Sequence, residues 1–446
     1  MQRDLARVLH LRDLLFIVVG TVIGSGIFLV PSDVLTHAQL DVGWALLVWA
    51  VGGVLSLLGA LTYGELGALE PDAGGIFVYV RKAFGPLLAF LYGWAMFFVI
   101  GSGSLATLAV AFGTRYLPQL VHLTPLQSKL AAVLVIAIVA WVNIRGTRRS
   151  ATVQGLATTI KVGALLVLAG ALIAVGHGFG GGGGDVKVFK VPLTLTLLSN
   201  AGIGLIGVLW AYEGWQYVTF SAGETVNPQR TFPRGIVVGT ALLIGIYLFA
   251  NVGYIAALGP GGVAASKRVA ADAAGSLFGP GIGTIVTIPI LVSIFGAANG
   301  LVLTIPRLFY AMARDGLFFR RLAEVHPRYG TPAVAVGVCA VWAAVLAASG
   351  SFEQLYRFVV FTSWIFFALG AAAVFVYRRR WPDTPRPFRT PGYPLTPAFF
   401  ILAAAAIVVN AFLRDRIQAL KGLGIVATGV PAYFIWRRRS TAQIPS

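Results

Sequence analysis

Long apolar runs separated by short polar clusters recur along the whole chain. They begin near Leu14, Trp44, Leu87, Leu130, Leu156, Ala201, Ile236, Ile282, Ala333, Leu355, Thr396 and Gly422. Each is about the 20 residues that a helix needs to cross a roughly 30 Å hydrocarbon core. A membrane β-barrel would instead need segments of about ten residues with alternating polarity, and these runs are longer and continuously apolar. The pattern predicts an all-α polytopic membrane protein with twelve transmembrane helices.

Two of the runs are interrupted, the first at Gly24-Ser25-Gly26 and the sixth at Ala211-Tyr212-Glu213-Gly214. Matched interruptions in two halves point to an inverted-repeat transporter with its site near the membrane midplane. The expected organisation is an N-terminal segment over 1–12, a first repeat of helices 1–5 over 13–175, and an external loop over 176–198. A second repeat of helices 6–10 follows over 199–378, then a cytoplasmic loop over 379–394, helices 11 and 12 over 395–437, and a C-terminal segment over 438–446.

Composition agrees with a life in lipid: 57% of the 446 residues are hydrophobic and 11% are charged. The formal net charge of +18 does not argue for nucleic acid, because Lys and Arg sit in short clusters between apolar runs, as in loops facing an anionic leaflet. Alternate loops hold 23 and 10 of the 34 basic residues, so the positive-inside rule places both termini in the cytoplasm, at the inner membrane. The basic stretch from Arg3 to Arg12 precedes a run too long for a signal-peptide core, and this run is expected to remain as the first helix.

Little chemistry besides the two interruptions is visible. Cys339 is the single cysteine, and the five histidines, at positions 10, 37, 122, 177 and 326, lack ligand spacing, so neither a metal site nor a cofactor is expected. The tract Gly180–Gly184 has no following Lys-Ser/Thr and reads as a linker. No paired carboxylate or nucleophile with its base stands at helical spacing, which argues against an enzyme. A channel has no use for two matched broken helices.

The remaining basic residue, Lys161, falls inside the fifth run, where an ammonium is costly and either pairs or serves transport. An unwound stretch in lipid survives only where it is buried or lines a cavity. At such a break one half-helix ends in free C=O groups suited to an ammonium, and the next begins with free N–H groups suited to a carboxylate. An amino-acid zwitterion carries both charges. For Gly20 and Gly235 the small-xxx-small spacing reads better as close helix contact. Glu65 and Glu224, nearer the ends of their runs, are expected to pair with loop arginines, while Glu213 has three readings: counter-charge for a basic substrate, proton carrier, or acceptor for N–H groups at the break.

The segment Val22-Ile-Gly-Ser-Gly-Ile-Phe28 resembles the first-helix signature of the amino acid-polyamine-organocation superfamily. Trp210-Ala-Tyr-Glu-Gly-Trp215, followed by Gly223-Glu-Thr-Val-Asn-Pro228, is similar to its L-type amino acid transporter branch. So are Tyr63-Gly-Glu-Leu-Gly67 with Gly74-Gly75, and Asn299 to Thr304 with Pro306-Arg307, Ala313-Arg-Asp-Gly316 and His326-Pro327.

The resemblance implies a LeuT-type fold of five plus five helices and alternating access, with a binding site drawn from Val22, Ile23, Gly24, Ser25, Gly26 and Ile27 and from Trp210, Ala211, Tyr212, Glu213 and Gly214. The backbone at Ser25, Gly26 and Ile27 would receive the substrate carboxylate, and carbonyls near Val22, Trp210, Ala211 and Glu213 the ammonium. Trp210 resembles the gate on the outer side of bound substrate. Lys161 resembles the fifth-helix lysine that replaces sodium in sodium-independent members. The expected partners are a small neutral L-amino acid and the bilayer, with exchange or proton coupling open and a partner subunit unspecified. Glu213 departs from the small residue frequent in animal members, which keeps a cationic amino acid or polyamine as the alternative substrate.

Overall fold

The computed structural model describes residues 7–178, 186–414 and 416–441, with the side chains of 414, 418 and 437–441 left out. The linker expected at Gly180–Gly184 and the outermost residues of both terminal segments lie outside the described residues. Among the described residues, ten helices are long and apolar enough to cross a membrane. An eleventh candidate is the pair α1 (Leu11–Val22) and α2 (Gly26–His37), bent by 48° at its break.

Then come α3 (Val42–Leu69) and the short amphipathic α4 (Ile76–Phe84). Next, α5 (Pro86–Ala95) and α6 (Gly101–Val110) join through wide π-helical turns into one 34-residue span ending at Gln119. The rods α7 (Pro125–Ile144) and α8 (Thr147–Val175) complete the first half. The fifth apolar run, read from Leu156, thus belongs to a helix that starts at Thr147: Arg148 and Arg149 hid its first turns.

The second half opens with α9 (Leu195–Ala211), which unwinds at Tyr212–Gly214 and continues as a 3-10 helix, Trp215–Glu224. Gly214 turns at φ +131°, a conformation open to glycine. After it run α10 (Pro228–Ala265) and the short α11 (Val269–Phe278), then α12 (Pro280–Thr304) and α13 (Pro306–Arg314), which share one 35-residue span. The helix α14 (Ala333–Ser349) is apolar but only 17 residues long, and it precedes α15 (Phe352–Arg380), α16 (Leu395–Arg414) and α17 (Arg416–Thr441).

We call the face where α1 begins proximal and the opposite face distal. On the distal face Asp41 caps α3 and ties down the chain before α9: its carboxylate accepts from the backbone N–H groups of Trp44, Phe189, Lys190 and Val191 at 2.8–3.1 Å. Burial opposes its charge, but these four donors outweigh it and hold the carboxyl below the usual aspartate range.

On the proximal face the residues before α1 pair with the end of the 3-10 helix: Val8 and Leu9 donate to the Glu224 carbonyl, and Val226 donates back to that of Leu9. Glu65 accepts both Arg378 nitrogens at 2.9 and 2.7 Å and the Thr390 N–H at 2.7 Å, with Arg386 at 3.3 Å, pinning the segment after α15 to α3. As the small-residue spacing suggests, Gly235 admits Leu14: a Cβ there would lie 2.8 Å from the leucine's own Cβ.

Candidate functional site

The two breaks meet at the centre of the bundle. The helix α1 ends at Val22, and its orphan carbonyls face α8 and α12. There Lys161, fully buried on α8, donates to the carbonyls of Gly20 at 2.5 Å, Ile23 at 2.6 Å and Ser293 at 3.0 Å. The Ser293 hydroxyl adds a bond to Ile23 O at 3.0 Å. All three ammonium donors are thereby used, and the cationic charge lies where helix carbonyls converge.

The carbonyls on the other side of the break are also met. The Tyr247 hydroxyl, on α10, lies 3.1 Å from Val22 O and 2.9 Å from Ala211 O, so one donor bridges both broken helices. Trp49 and Tyr212 pack against its ring.

Glu213 is buried and draws its partners onto one oxygen. Gln216 Nε2 donates to Oε1 at 2.8 Å, the Tyr217 hydroxyl at 3.0 Å and Ser363 Oγ at 3.5 Å. With its proton committed to Glu213, Tyr217 accepts from Ser104 at 3.3 Å. The bonds expected from Glu213 to break N–H groups are therefore replaced by side-chain bonds: the Gly214 N–H goes to Gln216 Oε1 instead.

Between these groups lies a cavity of about 20 Å³, lined by Thr21, Val22, Gly24, Ser25, Gly26, Ser104, Leu108, Trp210, Glu213, Tyr217 and Leu301. That volume suits about one water molecule, so a wall must move before an amino acid enters. Ser25 Oγ is buried on this wall with no hydrogen-bond partner among the described residues. Trp210 forms part of the lining, with its ring 6.4 Å from Phe352 and 6.0 Å from Tyr356.

Of the residues singled out in the sequence, Val22, Gly24, Ser25, Gly26, Trp210 and Glu213 line this cavity. Ala211 stands behind Gly26, and Ile23 turns its carbonyl to Lys161. Ile27, Tyr212 and Gly214 are buried but not on the lining, and Lys161 reaches the site only through the α1 backbone. Sequence reasoning missed Ser104, Tyr217, Ser293, Ser363 and Tyr247. The small-residue run Gly101-Ser-Gly-Ser104 was a usable signal for the first; a lone tyrosine or serine in an apolar helix offers none.

A second polar cluster braces the first. Asn299 on α12 accepts from Asn143 on α7 at 3.0 Å and donates to Gln154 on α8 at 3.0 Å, while Thr158 reaches the Phe16 carbonyl of α1 at 3.1 Å. Among the described residues, no group of three or more His, Cys, Asp or Glu side chains is placed to hold a metal ion.

Comparison with known proteins agrees with this architecture. The family model described as amino acid permease matches residues 9–430. The serine/threonine exchanger SteT of Bacillus subtilis is 30% identical over 431 residues, covering 96% of each chain. The human large neutral amino acids transporter small subunit 2 is 33% identical over 434 residues, covering 94% of this chain and 78% of its own. The mouse Asc-type amino acid transporter 1 is 30% identical over 430 residues, covering 95% and 80%. With a family match over nearly its whole length and two crossed helix breaks at its centre, the chain belongs to the amino acid permease family, in the L-type-like branch of the amino acid-polyamine-organocation superfamily.

Proposed function

We propose that the protein is a secondary active transporter that carries small neutral L-amino acids across the cytoplasmic membrane by alternating access. Transport is sodium-independent and runs by exchange, in line with the relative named as a serine/threonine exchanger. The observation that carries the reading is the cavity between the two breaks, where the unpaired Ser25 hydroxyl and the first N–H groups of α2 face the end of α9. The carboxylate would sit at Ser25, Gly26 and Ile27, and the ammonium would replace Tyr247 at the carbonyls of Val22 and Ala211. Trp210, against Phe352 and Tyr356, serves as the outer gate.

Sodium independence rests on Lys161, whose ammonium takes the backbone carbonyls that a cation would otherwise find. We further propose twelve membrane crossings, with α14 as the ninth, two inverted repeats of five, and both termini in the cytoplasm. A cationic substrate paired with Glu213 is the weaker reading, because the relatives are named for serine and threonine and for large neutral amino acids. Uptake of labelled amino acids into proteoliposomes tests the proposal, with internal amino acid, sodium and a proton gradient varied in turn. Saturable uptake of serine, alanine or leucine, stimulated by internal substrate and indifferent to sodium, is expected. Inhibition by arginine but not by serine would overturn the substrate class, and no uptake of any amino acid would overturn the function.

A further inference from the structure

The distal half of the bundle holds a cavity of about 370 Å³ between α2, α9, α15, α16 and α17, apart from the cavity at the helix breaks. Its size falls within the roughly 300–1,000 Å³ of ligand pockets. The charged and ionisable groups on its wall are Asp33 and His37, in the last two turns of α2, and Arg357, in the second turn of α15. Most of the remaining wall is apolar, with Ile206 from α9, Phe361 from α15 and Ile407 from α16.

The two kinds of residue are layered along the helices. Asp33, His37 and Arg357 stand near distal helix ends, whereas Phe361 lies four residues past Arg357 and Ile407 seven before Arg414, roughly 6 and 10 Å inward at 1.5 Å per residue. Beside the cavity, Leu413 and Leu420 are 61% and 57% exposed, so α16 and α17 turn bare apolar surface outward, as helices in contact with lipid do.

A rim with both signs of charge at head-group level, above an apolar depth, is complementary to a phospholipid whose head is itself zwitterionic. A free amino acid would match the charges but leave Ile206, Phe361 and Ile407 unfilled. The anionic head of phosphatidylglycerol would set its charge against Asp33. We propose that the cavity binds one phosphatidylethanolamine from the distal leaflet, with its ammonium at the Asp33 carboxylate, its phosphate at Arg357 and His37, and an acyl chain along Phe361 and Ile407. A primary ammonium donates to a carboxylate, which the quaternary ammonium of phosphatidylcholine cannot do.

The site also reaches the proposed gate. Tyr356 lines this cavity, its ring lies 6.0 Å from that of Trp210, and its hydroxyl has Arg357 as a hydrogen-bond partner. A phosphate held by Arg357 therefore bears on the tyrosine that backs Trp210. Lipid binding is independent of the transport reading; its effect on uptake rests on that reading and on Trp210 as the gate.

The test is native mass spectrometry of the full chain released from nanodiscs of phosphatidylethanolamine, phosphatidylglycerol and phosphatidylcholine in equal amounts. Wild type is expected to retain one phosphatidylethanolamine in preference to the others. Arg357→Gln should lower this retention roughly threefold to fivefold, the scale of one screened charge contact, and Asp33→Asn should shift the preference toward phosphatidylglycerol. Ile206→Trp, which fills the apolar depth, should abolish it. Asp33 and Arg357 are exposed, so their substitution leaves the fold intact if Ile206→Trp does not. In proteoliposomes, omitting phosphatidylethanolamine should change the wild-type KM for uptake roughly threefold and leave that of Ile206→Trp unmoved. Equal retention of the three lipids, or a phosphatidylethanolamine that survives all three substitutions, would overturn the site. Wild-type uptake indifferent to this lipid would overturn its link to the gate, and absence of uptake in every lipid would overturn the transport reading while leaving the lipid site standing.

Discussion

Arg307 Nε donates to Glu224 Oε2 at 2.8 Å with both side chains out of contact with solvent, and Thr147 closes the group through Glu224 Oε1 and Arg307 Nη2. This pair joins α13, the 3-10 helix and the start of α8 at the proximal face, where the Glu224 carbonyl also receives Val8 and Leu9. In the sequence Arg307 counts as a loop cation; in the fold it is the buried clamp of the broken sixth helix.

Removing one member of that pair strands the other charge in a dry site. Arg307→Met or Glu224→Gln is expected to cost about 3–5 kcal/mol, read as a lowered unfolding temperature in detergent, whereas the double replacement Arg307→Met with Glu224→Met should recover much of the loss. Equal Tm values for single variants and wild type would show that the pair carries no stability.

Lys161 supplies three donors to the carbonyls of Gly20, Ile23 and Ser293 around the α1 break. Lys161→Met keeps the length of the side chain but takes the lysine donor from Gly20 O and leaves Ile23 O with the Ser293 hydroxyl alone, at about 1–3 kcal/mol for a buried acceptor left unmet. Uptake is expected to fall about tenfold, the decade that a loss of about 1.4 kcal/mol within that range represents. Unchanged flux with an unchanged pH profile would remove Lys161 from the transport mechanism.

Tyr247→Phe deletes the single hydroxyl that spans Val22 O and Ala211 O. If the substrate ammonium replaces this hydroxyl, Phe should change KM for exchange several-fold while moving stability by only about 1 kcal/mol, the net scale of one hydrogen bond. A fall in Tm with an unaltered KM would make the hydroxyl purely structural.

Asp41 holds its carboxyl depressed through four backbone donors. A depressed folded pKa contributes stability that is fully present above the unfolded value of about 3.9 and is lost as pH falls through the folded value. Asp41→Asn should therefore lower Tm at neutral pH, and the gap to wild type should narrow as the pH drops below about 4. Proteolysis of the chain between 176 and 194, monitored against pH, reports the same release. A gap that widens on acidification would contradict the assigned charge state.

Much of the architecture was legible because lipid enforces it. Apolar length and the cost of unpaired backbone placed the interruptions at Gly24–Gly26 and at Ala211–Gly214 with no tertiary information; in the fold the breaks span 23–25 and 212–214, one residue away at most. The start of α8 was obscured because its first turn is basic, and α14, with 17 residues, is far shorter than the 29-residue α15 that follows it. Lys161 stood out in the sequence because an ammonium within an apolar run needs a reason.

By itself, then, the sequence determined that the chain is a bundle of lipid-facing helices, which two are interrupted, and which lone charge must be satisfied inside. These are one-dimensional consequences of burying apolar surface and pairing every backbone group. Only the tertiary structure decided which side chains satisfy the breaks. Tyr247 lies 36 residues from Ala211 and 225 from Val22, and Ser293 lies 270 from Ile23. Whether a tyrosine in an apolar helix packs as a ring or bridges two carbonyls depends on where its neighbours stand, and residues that far apart meet only through the crossing of helices.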